Sequence, residues 1–153
     1  MGLTIKRSEE TEATTLLAIQ KEAFQEDLKR YHDHETNPAN EPISRLMRKI
    51  KTFYHYTIWL NDEIIGGIDI RDLNHRRYRL NRIFLAKKYQ NQGFGSQMIQ
   101  LIESIFPSAH EWHLDTPHLN TRNHHFYEKQ GYKKVGEHQI SETLILFDYI
   151  KKM

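Results

Sequence analysis

The chain has no cysteine, and among its 153 residues it has only seven glycines and four prolines. Without cysteine there is no disulfide, no thiolate ligand for a metal and no cysteine nucleophile. The sequence also lacks an apolar run long enough to cross a bilayer and an apolar signal core near Met1. Lys6 stands where a myristoylation motif starting at Gly2 needs Ser or Thr. We therefore expect a cytoplasmic protein without a membrane partner.

Positive charge is in small excess. The formal net charge is +2 and the pI is about 8.7, which is too mild for a typical nucleic-acid-binding protein. The length suits one domain with a sizeable core, and we find no linker, repeat or low-complexity segment. We predict a single domain over residues 1–153 that does not bind nucleic acid.

Hydrophobic spacing predicts the element order β-α-α-β-β-β-α-β-α-β-β, a mixed α/β sandwich. Helices are expected from about residue 8 to 31, from Pro42 onward, from Gly95 to Pro107, and from residue 121 until Gly131. Strands are expected at residues 3–7, 53–60, 63–72, 78–85, 111–116, 132–136 and 143–150.

The polar loop before the third helix is the most informative segment. Gln90, Gly93 and Gly95 lie between an apolar strand and an amphipathic helix. A helix start of this kind presents unpaired N–H groups and the positive end of the helix dipole, which suits a phosphate or diphosphate. The loop is not a P-loop, because no lysine precedes Ser96, nor a dinucleotide fingerprint, because Met98 replaces the third glycine.

The remaining pattern, Gln-x-x-Gly-x-Gly at residues 90–95, resembles the acetyl-CoA loop of the GNAT superfamily of N-acetyltransferases. A second stretch resembles the GNAT motif in which a strand is followed by Asn, seven residues later by Tyr, and then by Glu-Lys-x-Gly-Phe/Tyr. Its landmarks here are Asn120, Tyr127, Glu128, Lys129, Gly131 and Tyr132. The resemblance covers roughly residues 54–149. It implies the GNAT fold, an α/β fold with a mostly antiparallel mixed sheet of about seven strands flanked by four helices.

The resemblance also implies acetyl-CoA as cosubstrate and assigns roles to residues. The strand backbone at Phe84 and Leu85 would pair with the pantetheine arm like an added strand. Asn120 would hydrogen-bond that arm or an adjacent carbonyl. Tyr127 would donate a proton to the departing thiolate, or else be a buried aromatic whose hydroxyl bonds to backbone. The diphosphate would be held by the backbone of Gln90, Asn91, Gln92, Gly93, Phe94, Gly95 and Ser96.

This loop departs from the family pattern in one respect. The family often has Arg-Gly-Lys where this chain has Gln90-Asn91-Gln92, so the loop carries no charge of its own. Asn91 can adopt the left-handed conformation of the usual glycine. Lys87 and Lys88, or the arginines in residues 76–79, either supply charge for the 3′-phosphate or are solvated surface positions.

Asp115 is the candidate base that deprotonates the acceptor. It precedes Asn120 by five residues, the place of a catalytic Glu in the ribosomal-protein alanine acetyltransferases, which the local sequence resembles. Because Asp is shorter than Glu, a bridging water would help it. His113 lies on the same strand face and titrates nearer neutral pH. Alternatively, Asp115 caps the next loop and ordered water is the base.

Ten histidines suggest a metal, but none forms a His-x-x-x-His pair on a helix, so we predict no metal. The predicted activity is direct attack of a primary amine of a small molecule or peptide on acetyl-CoA in a ternary complex. The alternatives are a non-enzymatic acyl-CoA-binding sensor or interaction module, and a nucleic-acid-binding protein. The latter would use Arg71, Arg76, Arg77, Arg79 and Arg82.

The acceptor walls are expected at residues 24–47 and 136–143. The first region carries acidic and aromatic side chains, which either favour a cationic amine or form a solvated face. They include Glu26, Asp27, Tyr31, Asp33, Glu35 and Glu41. A homodimer is possible, and the sequence neither supports nor opposes it.

Overall fold

A seven-stranded sheet crosses the computed structural model, which describes residues 2–34 and 36–153. The strands are β1 (Leu3–Arg7), β2 (Tyr54–Leu60), β3 (Glu63–Asp72), β4 (Arg77–Leu85), β5 (Glu111–Pro117), β6 (Lys133–Gln139) and β7 (Ile145–Lys152). Their spatial order is β1-β2-β3-β4-β5-β7-β6. Only the β4–β5 pairing in this described sheet is parallel.

Four α-helices cover the sheet in the described part of the chain: α1 (Ala13–Tyr31), α2 (Ile43–Thr52), α3 (Phe94–Ile105) and α4 (Thr121–Lys129). The predicted element order is therefore confirmed. Three elements, α1, β6 and β7, have bounds that differ from the predicted ones by two to five residues. Residues 10–12 form a 3₁₀ turn before α1, because Glu9 and Glu12 form a capping box there. The last hairpin is longer and shifted at both strands, with Gln139 paired to Ile145. None of the described helices is both long and apolar enough to span a bilayer.

The sheet has a hydrophobic core on each face. On one face, Met98, Ile99 and Ile102 of α3 pack with Trp112 and Leu114 of β5, since their spacing puts them on one side of the helix. On the other face, residues of α1 and α2 pack against Phe84. Neighbours of Phe84 on β4 belong to the first core, because successive strand side chains alternate between faces.

Two irregularities in β4 shape the molecule. Opposite Asp69 and Ile70 of β3, the register skips Asn81, which is the extra residue of a β-bulge. The described pairing of β4 with β5 ends at Arg79 and His113. The two strands separate beyond that point, so the backbone of the second half of β4 has no strand partner on this side.

Buried charges hold the bulge in place. The Glu41 carboxylate lies 2.6 Å from Lys49 Nζ and 2.9 Å from Arg82 Nη1, with only 3% of its side chain exposed. Asn81 Nδ2 donates to Asp69 Oδ2 at 2.9 Å. Burial acts to raise the pKa of Glu41, but Lys49 and Arg82 outweigh it, so the net pKa lies below its usual value. The bulge is thus tied to the loop that precedes α2.

Candidate active site

A cleft of about 600 Å³ opens where β4 and β5 separate. Its walls come from α1, the end of β4, the loop at residues 90–96 and the first turns of α3 and α4. The structure places nine of the predicted site residues along this cleft: Phe84, Leu85, Gln90, Asn91, Gly93, Gly95, Ser96, Asn120 and Tyr127. Residues that are far apart in sequence therefore meet around one cleft.

Two loop residues predicted to join the site do not line this cleft. The side chain of Gln92 donates from Nε2 to the Lys88 carbonyl at 2.7 Å. The Phe94 ring packs edge-on against Tyr89, with centroids 6.1 Å apart. Any role for these two residues would therefore fall to their backbone N–H groups.

The loop conformation explains its unusual residues. Asn91 has φ of +62° and Gly93 has φ of +84°, so the predicted left-handed geometry of Asn91 is confirmed. Gly95 is needed for a different reason. A Cβ atom at that position would lie 3.1 Å from Cζ of Phe126, so the glycine lets α3 approach α4 closely. The Gln90 Nε2 donates to the Leu85 carbonyl at 2.9 Å and holds the loop against β4.

Asn120 begins α4 as its N-cap. Its Oδ1 accepts a hydrogen bond from the Asn123 backbone N–H at 3.1 Å, which satisfies one of the unpaired donors of the helix start. The two N–H donors of the Asn120 side-chain amide remain available for another partner. The predicted bond from Asn120 to the pantetheine arm thus stays a prediction.

Tyr127 lines the cleft and is 8% exposed. Among the described residues, no group hydrogen-bonds its hydroxyl, so the alternative of a hydroxyl bonded to backbone is not what the structure has. Burial, together with the nearby Asp115 carboxylate, raises the pKa of this phenol above its ordinary value. The hydroxyl therefore keeps its proton at neutral pH.

A second cavity of about 190 Å³ adjoins the first, and Tyr127 lines both. Phe24, Asp27, Ile83 and Asn123 are also shared. The predicted first acceptor wall does line it, through Tyr31, Asp33, Thr36, Asn37 and Pro38. The last hairpin contributes Leu144 and Leu146, just beyond the predicted 136–143. Glu35 lies outside the described residues.

Asp115 also lines the second cavity, but it already has a partner. Its carboxylate forms an ion pair with Arg79. Asp148 lies directly opposite on β7, and Asp115, His138 and Asp148 place ligand atoms within 4.8 Å of one another. The guanidinium of Arg79 offsets the negative charge of this cluster. The prediction that the protein uses no metal stays a prediction.

His113 shares the strand face of Asp115, as expected, but it turns toward another group. Its Nε2 lies 2.9 Å from Glu111 Oε1, and it lines neither of the two cavities.

Tyr31 ties together three segments around the cavities. Its hydroxyl accepts from the Leu119 backbone N–H at 3.2 Å, and its carbonyl accepts from the Thr143 hydroxyl. Next to it, Arg30 Nη1 donates to the Leu119 carbonyl at 3.3 Å. The end of α1, the loop entering α4 and the β6–β7 hairpin thus meet at one residue, which we call the Tyr31 anchor.

The arginines considered for nucleic acid are engaged within the protein. Arg71, Arg79 and Arg82 pair with Asp69, Asp115 and Glu41. Arg76 donates to the Ser108 carbonyl and Arg77 to the Leu73 carbonyl. They do not form an uncommitted cationic surface. The prediction of no nucleic-acid partner remains open to test.

Sequence reasoning missed several cleft residues. Arg30 and Arg122 line the larger cavity, and Asn81, Leu144 and Leu146 line the smaller one. Arg122 had a detectable signal, because it is the second residue of the helix that the Asn120 motif begins. No local sequence signal indicated the bulge at Asn81 or the position of β7 between β5 and β6, because both depend on contacts between distant segments.

The sequence profile of the acetyltransferase (GNAT) family matches residues 14–132, and the chain belongs to this family. Solved structures share the fold across essentially the whole chain. One is the PaiA N-acetyltransferase of Thermoplasma acidophilum in complex with coenzyme A, at 18% identity and TM-score 0.77, covering 100% of both chains.

Two further solved structures share this fold. The acetyltransferase of Thermus thermophilus has 14% identity and TM-score 0.81, over 100% of this chain and 98% of that one. The ribosomal-protein-S18-alanine N-acetyltransferase of Escherichia coli has 13% identity and TM-score 0.78, over 98% and 93%. No curated protein sequence matches significantly. The expected GNAT fold is confirmed, and the family supports acetyl transfer from acetyl-CoA.

Proposed function

We propose that the protein transfers the acetyl group of acetyl-CoA to a primary amine by direct attack in a ternary complex. The observation that carries the proposal is the position of Tyr127. Tyr127 lines both the larger cleft and the smaller cavity, and no described residue hydrogen-bonds its hydroxyl. One cavity would hold the coenzyme and the other the amine, so the thioester would lie beside the phenol.

The larger cleft suits coenzyme A in two ways. The unpaired edge of β4 at Phe84 and Leu85 offers backbone groups to the amides of a pantetheine arm. The start of α3, led by Gly93 in a left-handed conformation, offers N–H groups and the helix dipole to a diphosphate. Backbone N–H groups of β4 would also polarise the thioester carbonyl.

In the proposed step, the amine nitrogen forms a bond to the acetyl carbon and the carbon–sulfur bond breaks. The nitrogen loses its proton, and the sulfur leaves as a thiolate that gains one. The raised pKa of Tyr127 makes its phenol a weaker acid than a thiol. Its main contribution would therefore be a hydrogen bond to the developing thiolate, with proton transfer completing late.

Asp115 is the proposed proton acceptor for the amine, directly or through a water molecule. It lines the smaller cavity together with Asp27 and Asp33. Burial raises the pKa of Asp27, and the nearby Arg30 partly opposes this. Three carboxyl groups beside the rings of Phe24 and Tyr31 support an acceptor that is cationic before it is deprotonated. Location in the cytoplasm and a possible homodimer remain predictions from the sequence.

A thiol-release assay tests the proposal. Purified protein is mixed with acetyl-CoA and a panel of primary amines that includes polyamines, amino sugars and short peptides, and products are identified by mass spectrometry. Steady thiol release that depends on one of the amines, with an N-acetyl product, supports the enzyme. Saturable acetyl-CoA binding without turnover across the panel supports instead the non-enzymatic acyl-CoA sensor.

A further inference from the structure

We infer that Arg122 supplies the positive charge that the loop at residues 90–96 lacks, by binding the diphosphate of coenzyme A. This inference rests on the proposed function. The loop contains no lysine or arginine, yet a diphosphate carries about two negative charges that backbone N–H groups offset only in part. A cation from another element would complete the site.

Arg122 is placed to supply that charge. It is the second residue of α4, it is exposed, and it lines the cleft opposite the loop. Its Nη2 donates to Gln90 Oε1 at 3.3 Å. Gln90 is fixed at its other end, because its Nε2 donates to the Leu85 carbonyl. The Arg122 side chain is therefore directed toward the loop before any ligand arrives.

The charge of Arg122 is also available. Among the described residues, no carboxylate oxygen lies within 4 Å of its guanidinium, whereas Arg71, Arg79 and Arg82 each pair with a carboxylate. A guanidinium with only a neutral partner keeps its full attraction for an anion.

The other candidate cations are less suitable. Arg76, Arg77 and Arg79 are engaged at the far end of β4 and line no part of the cleft. Lys88 pairs with Glu63 at 3.1 Å. Lys87 does not line the cleft, and Arg30, which does, donates to the Leu119 carbonyl. Arg122 is therefore better placed to supply charge for the diphosphate than residues 76–79, which the sequence suggested for the 3′-phosphate.

The geometry favours the diphosphate as the ligand group. The first turns of α3 and α4 both face the cleft, so two positive dipole ends converge there, and the start of α3 adds unpaired backbone N–H groups. Arg122 adds a planar fork of donors, which matches two oxygens of a phosphate group better than a lysine would.

The test combines protein variants with truncated ligands. Calorimetry measures the binding of CoA, 3′-dephospho-CoA and pantetheine to the wild type and to the variants Arg122→Gln and Arg122→Lys. Pantetheine binding is measured by displacement. Lys129→Gln removes the same charge from the other end of α4 and serves as the matched control. Thermal unfolding of each variant establishes that it is folded, as expected for substitutions at exposed positions.

The expected result is that Arg122→Gln weakens the binding of CoA and of 3′-dephospho-CoA equally, by about tenfold, and leaves the binding of pantetheine unchanged. The control variant Lys129→Gln should bind all three ligands as the wild type does. The CoA affinity of Arg122→Lys should lie between those of the wild type and of Arg122→Gln. Unchanged CoA affinity in Arg122→Gln would overturn the inference, as would a loss confined to CoA, which would assign Arg122 to the 3′-phosphate. If the wild type does not bind CoA, the proposed function fails as well, whereas the other outcomes concern Arg122 alone.

Discussion

Arg82 on the bulged strand and Glu41 before α2 form a buried ion pair, with Nη1 and Oε2 2.9 Å apart. Arg82 lines the smaller cavity, while Glu41 also holds Lys49 at 2.6 Å. One carboxylate thus binds two cations and fixes the strand that shapes the proposed acceptor cavity.

Replacing Glu41 with Ala should cost about 3 kcal/mol of unfolding free energy. Buried Arg82 would lose its carboxylate partner, and of the described carboxylates Lys49 would keep only Asp69, 3.9 Å away. Urea denaturation measures the loss. Glu137→Ala is the control, since its pair with Lys134 is exposed and should contribute less than about 1 kcal/mol. Similar small losses in both variants would show that the buried pair is not stabilising.

Stability should depend on pH through His55. Burial lowers the pKa of His55 to about 4 in the folded protein, against an ordinary value of 6.5, despite the nearby Asp69 carboxylate. The unfolded chain therefore binds a proton first, so the stabilising contribution is complete above pH 6.5 and declines as the pH falls toward 4. The total loss is about 3 kcal/mol.

Urea midpoints from about pH 7.5 to 4 measure this effect. His55→Gln removes the titrating ring and should flatten the slope between pH 6.5 and 4, although its hydrogen bond with Ser8 is changed too. An equally steep slope in the variant would assign the pH dependence to other groups.

Tyr127→Phe should lower kcat by about a hundredfold, because the departing thiolate loses its hydrogen-bond donor. The KM for acetyl-CoA should change little. The matched control is Tyr132→Phe, whose ring lies 5.8 Å from that of Tyr127 and lines neither cavity. An unchanged kcat in Tyr127→Phe would show that the phenol is not the donor.

Asp115→Asn should lower kcat/KM for the amine by at least about tenfold near neutral pH, because an amide cannot accept the proton. A higher pH should restore part of the rate by deprotonating the free amine. Asp148→Asn is the control, since Asp148 lies opposite Asp115 on β7 but lines neither cavity. Equal effects of the two substitutions would argue for general electrostatics rather than a base.

Asn91→Val should destabilise the loop by about 1–2 kcal/mol, since φ of +62° is unfavourable for a β-branched residue. CoA affinity should fall with it, as calorimetry would detect. Asn91→Gly should retain the wild-type affinity because glycine adopts this conformation freely. If Asn91→Val binds CoA as tightly as Asn91→Gly does, the left-handed geometry of residue 91 is not needed for the site.

The sequence was sufficient for the order of strands and helices and for most of the larger cleft. Helical spacing placed Met98, Ile99 and Ile102 in the core, and the loop motif located Gln90 and Gly95 correctly. These features depend on local periodicity and turn chemistry, which short windows of sequence contain.

The remaining features arise from contacts between distant segments. The bulge at Asn81 depends on charges supplied by Glu41 and Lys49, about 30–40 residues earlier in the chain. The partner of Asp115 is Arg79 on a neighbouring strand, and only the sheet register brings the two together. Arg122 acquires its proposed role only when α4 is packed beside the loop.

The Tyr31 anchor has a consequence for how acceptor preference could evolve. Side chains such as Asp33, Thr36 and Leu144 line the smaller cavity without supplying the bonds that fix the anchor. Their size and charge can change while the scaffold around them stays in register. If the proposed function holds, a descendant of this gene would accept a different amine after few substitutions, while the proposed coenzyme cleft is inherited unchanged.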